Sequence, residues 1–229
     1  MVKYVQTMNP WLRFFRVVNL PTVPGDVLVG AAAAGAAADS RVWGACAASC
    51  FLYLFGLAHN DIVGAQTDKG RPIPNGEISM DAAWAAAAAC LAAAFGIAWW
   101  AGLPSTWWWL AVELVVLIVL YNRTKAWWLM GMCRAWNVLC GAAMAGVGPR
   151  AVGAAVLWWL YISLVTLYSE GEERDPAKKR RVGMLVGGIV YLQLAALAVF
   201  PNATYLAAGA ALLALLWIVK RQLPKVSAS

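Results

Sequence analysis

Runs of 17 or more mostly apolar residues recur along the whole chain, and they leave it few ways to fold. A helix rises about 1.5 Å per residue, so each run is long enough to cross the ~30 Å hydrocarbon core of a bilayer. The sequence reads as about eight spans, at roughly 20–38, 42–59, 82–102, 105–121, 126–148, 151–168, 182–200 and 203–219. Some breaks are short, which fixes the count only to within one. A soluble domain carries a charged surface of about a quarter of its residues. Here 62% of the residues are hydrophobic and 13% are charged. The expected fold is all-α, a polytopic membrane helical bundle in the lipid bilayer. No Gly/Ser linker divides it, so residues 1–229 read as one domain.

Charge orients the bundle. With a cytoplasmic N-terminus and eight spans, fifteen cations fall on the cytoplasmic side: Lys3, Arg13, Arg16, Lys69, Arg71, Arg123, Lys125, Arg174, Lys178, Lys179, Arg180, Arg181, Lys220, Arg221 and Lys225. The other side holds Arg41 and Arg150, and Arg134 falls inside a span. This bias follows the positive-inside rule, and it predicts a multi-pass protein of the cytoplasmic membrane with both termini cytoplasmic. Topology therefore explains the net charge of +7. A nucleic-acid partner is not expected, because no basic face exists outside the short loops. The opening stretch, MVKYVQTMNPWLRFFR, lacks a small-residue cleavage site after a short apolar core, so the first span is expected to be retained. The five cysteines all lie in apolar runs without a histidine cluster, and they read as small packing residues. Tryptophans 99, 100, 107 to 109, 127 and 128 sit near span ends and read as an interfacial belt.

The acids are distributed unusually. Eight of eleven sit on two cytoplasmic loops: Asp61, Asp68, Glu77 and Asp81 after the second span, and Glu170, Glu172, Glu173 and Asp175 after the sixth. Those spans hold matching places in two four-helix halves, which hints at a parallel repeat. The first loop reads HNDIVGAQTDKGRPIPNG. Asp61 and Asp68 are seven residues apart, about two helical turns, so a helix continuing past Asn60 would put both carboxylates on one face. Such a pair suits Mg²⁺, which takes oxygen ligands and commonly bridges to substrate phosphates. Lys69 and Arg71 follow and are suited to phosphate oxygens, and Pro72 and Pro74 would end the helix. An ordinary loop, with acids for solubility and bases for topology, is the competing explanation.

The same residues resemble the first motif of the UbiA-type intramembrane prenyltransferase superfamily, N-D-x-x-D-x-x-x-D followed by R-P-[I/L]-x-x-G. Asn60, Asp61 and Asp68 match it, and so does the run from Arg71 to Gly76. Tyr121 and Lys125 match a Tyr-x-x-x-Lys feature after the fourth span, and Arg134, Asn137 and Gly141 resemble an Arg-x-x-Asn feature in the fifth. The resemblance implies two acidic loops capping a central cavity that opens to lipid. It also implies Mg²⁺ holding an isoprenyl diphosphate, and transfer of the prenyl group to an aromatic or other lipophilic acceptor. It assigns Asp61 and Asp68 to catalysis. Asn60, Asp61, Asp68, Glu172 and Asp175 would hold metal. Asn60, Lys69, Arg71, Tyr121, Lys125, Arg134, Asn137 and Lys179 would bind substrate.

The chain departs from the pattern. Gly64 stands where the middle aspartate belongs. Anchored on Asp175, the second motif has Gly171 and Tyr168 at its earlier positions, with Glu170, Glu172 and Glu173 nearby but off pattern. The family norm is nine spans. Three readings follow: a prenyltransferase with a degenerate metal site, an intramembrane terpene cyclase, and a non-catalytic protein that binds or moves an isoprenoid lipid. His59 is expected to make a helix-end hydrogen bond. Arg134, costly at membrane depth, is expected either to hold diphosphate or to pair with Asp26 or Glu113.

Overall fold

The computed structural model describes residues 9–172, 175–200 and 202–222. Lys3, Glu173, Arg174, Lys225 and both chain ends lie outside the described residues. A short helix, α1 (Pro10–Phe14), leads into a 3₁₀ segment (Val17–Thr22) and α2 (Val23–Ala33). Seven helices follow: α3 (Ser40–Val63), α4 (Met80–Trp100), α5 (Ser105–Thr124), α6 (Trp127–Ala142), α7 (Pro149–Ser169), α8 (Pro176–Val199) and α9 (Ala203–Gln222). The described residues contain no strand. Eight segments thus correspond to the eight expected spans. Of these, α3, α4, α5, α7 and α8 are long and apolar enough to cross a membrane by themselves.

Local chemistry sets where the helices begin and end. Asp39 caps α3 by accepting from the backbone N–H groups of Arg41 and Val42, and Ser79 caps α4 by accepting from Ala82. The first span is not one helix. Pro21 lacks the N–H that an α-helix interior needs, so the chain runs as 3₁₀ to Thr22 before α2 starts, with Pro24 in its first turn. The fifth span ends at Ala142 instead of running to 148, because Gly146 takes a φ of 103° in the turn before Pro149.

The two halves, α2 to α5 and α6 to α9, meet where their first helices cross. A Cβ on Gly30 of α2 would lie 1.8 Å from the carbonyl oxygen of Val138, and one on Gly141 of α6 would lie 2.0 Å from that of Val27. Only glycine permits this backbone approach, the usual basis of close helix packing in lipid. The main core continues from there through α3, α4 and α5, where Leu52, Ala58, Ala87, Ala94 and Trp107 are buried. Trp107 is thus a core residue, packed edge-on against Phe95 and Trp108, and not part of a belt. Trp99, Trp100 and Trp109 do lie exposed at one end of α4 and α5.

Candidate functional site

At the basic end of the bundle, α3 delivers Asn60 and Asp61. Asp61 is fully buried. Its Oδ1 accepts from Arg16 Nη2 at 2.8 Å and lies 3.6 Å from Arg71 Nη1. Its Oδ2 is buried without a hydrogen-bond partner among the described residues. Asp68 Oδ2 lies 3.8 Å from Arg71 Nε. The two aspartates therefore converge on one guanidinium, but not by the route the spacing suggested. Helix α3 stops at Val63, with Gly64 as its cap. The backbone N–H groups of Thr67 and Asp68, and the Thr67 hydroxyl, all donate to the Gly64 carbonyl at 2.9–3.1 Å. This competing local bonding turns the chain back over the helix end and carries Asp68 with it. The helix has ended before Pro72 and Pro74, so the prolines do not end it.

Other elements complete the mouth. Lys125 caps α5 in a left-handed conformation, φ 55°, and donates through Nζ to Asn60 Oδ1. Its Nζ also sits 5.7 Å from the centre of the Tyr121 ring. Burial lowers the Lys125 ammonium from the ordinary lysine value, with Arg16 and Arg71 adding to the effect and Asp68 and Asp61 opposing it. Arg16 also has a positive φ, 39°, and Arg13 is ion-paired with Glu77, so two arginines pin the N-terminal segment to the end of α3 and to the loop that follows it. Lys69 is exposed and has no side-chain partner among the described contacts.

Beneath the mouth lies a cavity of about 120 Å³. Arg16, Asn60 and Tyr121 line its upper part, and Leu57, Leu114, Ile118 and Met130 line its walls. Ser49, Arg134 and Asn137 also line it. Arg134 pairs with Asp26, Nε to Oδ2 at 2.8 Å, and donates to the Thr22 carbonyl at 2.7 Å. Asp26 is the partner; Glu113 instead accepts from the Trp136 indole at 2.8 Å. His59 makes the expected hydrogen bond near the end of α3, its Nδ1 accepting from Asn122 Nδ2 at 3.0 Å, and it stacks on Phe55.

The second acidic loop stands apart. None of Glu170, Glu172, Asp175 or Lys179 lines the cavity. Asp175 caps α8 by accepting from the N–H groups of Ala177 and Lys178, and Lys178 Nζ donates to the Glu170 carbonyl at 2.6 Å. Lys179 is exposed. Among the described residues no three acidic, histidine or cysteine side chains converge on one point. The first loop nonetheless has oxygen donors suited to one Mg²⁺ that keeps waters and phosphate ligands: Asp61, whose Oδ2 is unsatisfied, and Asp68. Arg16 was missed in the sequence because its partner lies 45 residues away. Its position just before the first span was the available signal.

Fold and site together define a polytopic helical membrane protein with a charged mouth over an apolar cavity. A sequence profile of the UbiA prenyltransferase family matches residues 19–227, and the chain belongs to that family. Its fold is similar to that of a UbiA homolog from Archaeoglobus fulgidus bound to GPP and Mg²⁺, with TM-score 0.60 and 16% identity over 94% of this chain and 87% of that one. The same homolog bound to DMAPP and Mg²⁺ gives the same values. Digeranylgeranylglyceryl phosphate synthase is similar at TM-score 0.57 and 16% identity, over 93% of this chain and 94% of that one. No curated protein matches the sequence.

Proposed function

We propose that this protein is a prenyltransferase of the cytoplasmic membrane that ionises an isoprenyl diphosphate and transfers its prenyl group to an aromatic or other lipophilic acceptor. The observation that carries this reading is the convergence of Asp61, Asp68, Arg16, Arg71 and Lys125 at the mouth of an apolar cavity. Arg16, Arg71 and Lys125 are three cations set against two carboxylates, so the mouth carries a net charge of +1 and favours a diphosphate anion. Asp61 and Asp68 would hold one Mg²⁺, whose chemistry is to withdraw charge from the departing diphosphate. Arg16 and Arg71 exchange part of their pairing with Asp61 for phosphate oxygens. Lys125 and Asn60 orient the diphosphate, and Lys69 screens it from the loop surface. The ring of Tyr121 and the apolar walls exclude water from the allylic cation until the acceptor attacks. The cytoplasmic ends carry the mouth, which fits cytosolic delivery of a diphosphate to a lipid-embedded acceptor.

A second reading, a non-catalytic isoprenoid-lipid binder, draws support from the two arginines that already neutralise Asp61. Product analysis separates the two. The purified protein in nanodiscs is incubated with geranyl diphosphate, Mg²⁺ and a panel of phenolic acceptors, and the extract is resolved by mass spectrometry. A prenylated acceptor is expected. A cyclised hydrocarbon with no acceptor adduct would favour the cyclase, and recovery of intact geranyl diphosphate alone would favour the binder.

A further inference from the structure

The size of the cavity suits one aromatic ring. A cavity of about 150 Å³ takes up benzene, and this one measures about 120 Å³ and continues into the mouth at Arg16 and Asn60. Its wall is not wholly apolar, because Ser49, Tyr53, Asn122, Arg134 and Asn137 all reach it. Two of the lining side chains are charged, Arg16 and Arg134. Each is already paired with a buried carboxylate, Arg16 with Asp61 at 2.8 Å and Arg134 with Asp26 at 2.8 Å. The cavity therefore offers a ligand hydrogen bonds but no unneutralised charge.

The inner end of the cavity has a defined polarity. Asn137 Nδ2 donates to the Val23 carbonyl at 3.2 Å and to Asp26 Oδ2 at 3.3 Å, which leaves its Oδ1 to Ser49. The Ser49 hydroxyl gives its proton to that oxygen, so toward a ligand it can only accept. Arg134 spends Nε and Nη2 on Asp26 and the Thr22 carbonyl. Its Nη1 has no hydrogen-bond partner among the described residues and is the donor left for a ligand. Asp26 is fully buried and is held against Arg134 by two further donors, Gln193 Nε2 at 2.7 Å and Trp158 Nε1 at 2.8 Å. One donor and one acceptor thus stand beside a neutralised ion pair. A primary amide or a hydroxyl both accepts and donates, and it satisfies the two together. A carboxylate satisfies Arg134 alone, sets its second oxygen against the Ser49 lone pairs, and adds an uncompensated charge at membrane depth.

We propose that Asp26, by neutralising Arg134, sets the class of acceptor: a neutral, single-ring phenol and not an aromatic acid. The proposal rests on the prenyltransferase reading above and deepens it by naming the acceptor. Arg134 and Ser49 meet the acceptor's inner polar group. Asn122 meets its other one: the amide Nδ2 is taken up by the Gly56 carbonyl at 2.9 Å and by His59 Nδ1 at 3.0 Å, leaving Oδ1 to accept from a phenol. Asp26 does not line the cavity and acts through Arg134 as a positioning residue.

The test compares two compounds of one shape and different charge, 4-hydroxybenzamide and 4-hydroxybenzoate, at neutral pH. Dissociation constants are read by saturation-transfer NMR on the protein in nanodiscs loaded with geranyl thiodiphosphate and Mg²⁺, with empty nanodiscs as the blank. The parent is expected to bind the amide about tenfold or more tightly than the acid. Asp26→Asn releases the charge of Arg134 and is expected to reverse that preference. Ser49→Ala removes the acceptor without touching the ion pair, and is expected to weaken the amide several-fold while leaving the acid unchanged. If Asp26→Asn does not fold, the parent and Ser49→Ala decide. Binding of the acid by the parent as tightly as the amide, or tighter, overturns the proposal, as does a preference unchanged in every variant that folds. Binding of neither compound to protein that holds geranyl thiodiphosphate overturns it and leaves the diphosphate reading intact. Failure to bind geranyl thiodiphosphate itself removes both.

Discussion

Replacing Gly64 by aspartate is expected to lower the Mg²⁺ concentration for half-maximal diphosphate release by about tenfold. Gly64 caps α3 with φ −82° and ψ 0°, a conformation open to any L residue, so the substitution brings no backbone strain. A Cβ there would lie 3.0 Å from Asp68 Oδ2 and 3.2 Å from the Asn60 carbonyl oxygen. Asp68 must give by a few tenths of an ångström, and with 45% of its side chain exposed it has room to do so. The new carboxylate then joins Asp61 and Asp68 around one ion position. A carboxylate and a dication about 4 Å apart attract by about 2 kcal/mol even at the dielectric of water. Repulsion between the new carboxylate and Asp68, about 1 kcal/mol by the same measure, is present with and without the ion and cancels from the metal affinity. Desolvation of the new acid offsets part of the attraction to the ion, and a net gain of about 1.4 kcal/mol is tenfold in affinity. Gly64→Ala supplies the Cβ without the charge and separates electrostatics from local order. The assay is pyrophosphate release from geranyl diphosphate across a Mg²⁺ titration, for parent, Ala and Asp proteins. Identical Mg²⁺ dependence in the Asp and Ala variants would refute the reasoning.

Asp26→Asn leaves Arg134 buried and uncompensated, and is expected to destabilise the fold by about 3–5 kcal/mol. Thermal unfolding in detergent measures this, and the double variant Asp26→Leu/Arg134→Met is expected to recover part of the loss. Gly141→Ala drives a methyl into the Val27 carbonyl and is expected to cost about 1–3 kcal/mol by forcing α2 and α6 apart; a larger loss of melting temperature than for Gly153→Ala, where a Cβ meets nothing within 4 Å, checks it. Burial lowers the Lys125 ammonium from 10.5, so the unfolded chain binds more protons than the folded one between the two values. Stability is therefore expected to rise with pH in that window. Lys125→Met should flatten the rise in melting temperature.

The membrane bundle was legible because hydropathy and span length act residue by residue and need no tertiary contact. The breaks in the first and fifth spans also had local causes, Pro21 and Gly146, and a stricter reading of turn chemistry would have found them. Asp175 before Pro176 is likewise a helix-start signal, and it explains why that acid caps α8. The meeting of Asp61 and Asp68 came through a turn at Gly64 that helical periodicity cannot represent. Pairings across long separations were not legible. Arg16 reaches Asp61 from 45 residues away, and Gln193 reaches Asp26 from 167 residues away. Arg134 could be recognised as needing a partner, but choosing Asp26 over Glu113 required knowing which faces of α2, α5 and α6 meet.

Calorimetric titration of geranyl thiodiphosphate into the protein in nanodiscs, with and without Mg²⁺, tests most directly whether the Asp61 mouth is a diphosphate site. The analogue binds without turning over, so the measurement separates the site from the chemistry. One-to-one binding that Mg²⁺ tightens in the parent, and that Mg²⁺ no longer tightens in Asp61→Asn, is the predicted result. Binding that is indifferent to Mg²⁺ and to Asp61→Asn, or no binding at any Mg²⁺ concentration, would contradict the account.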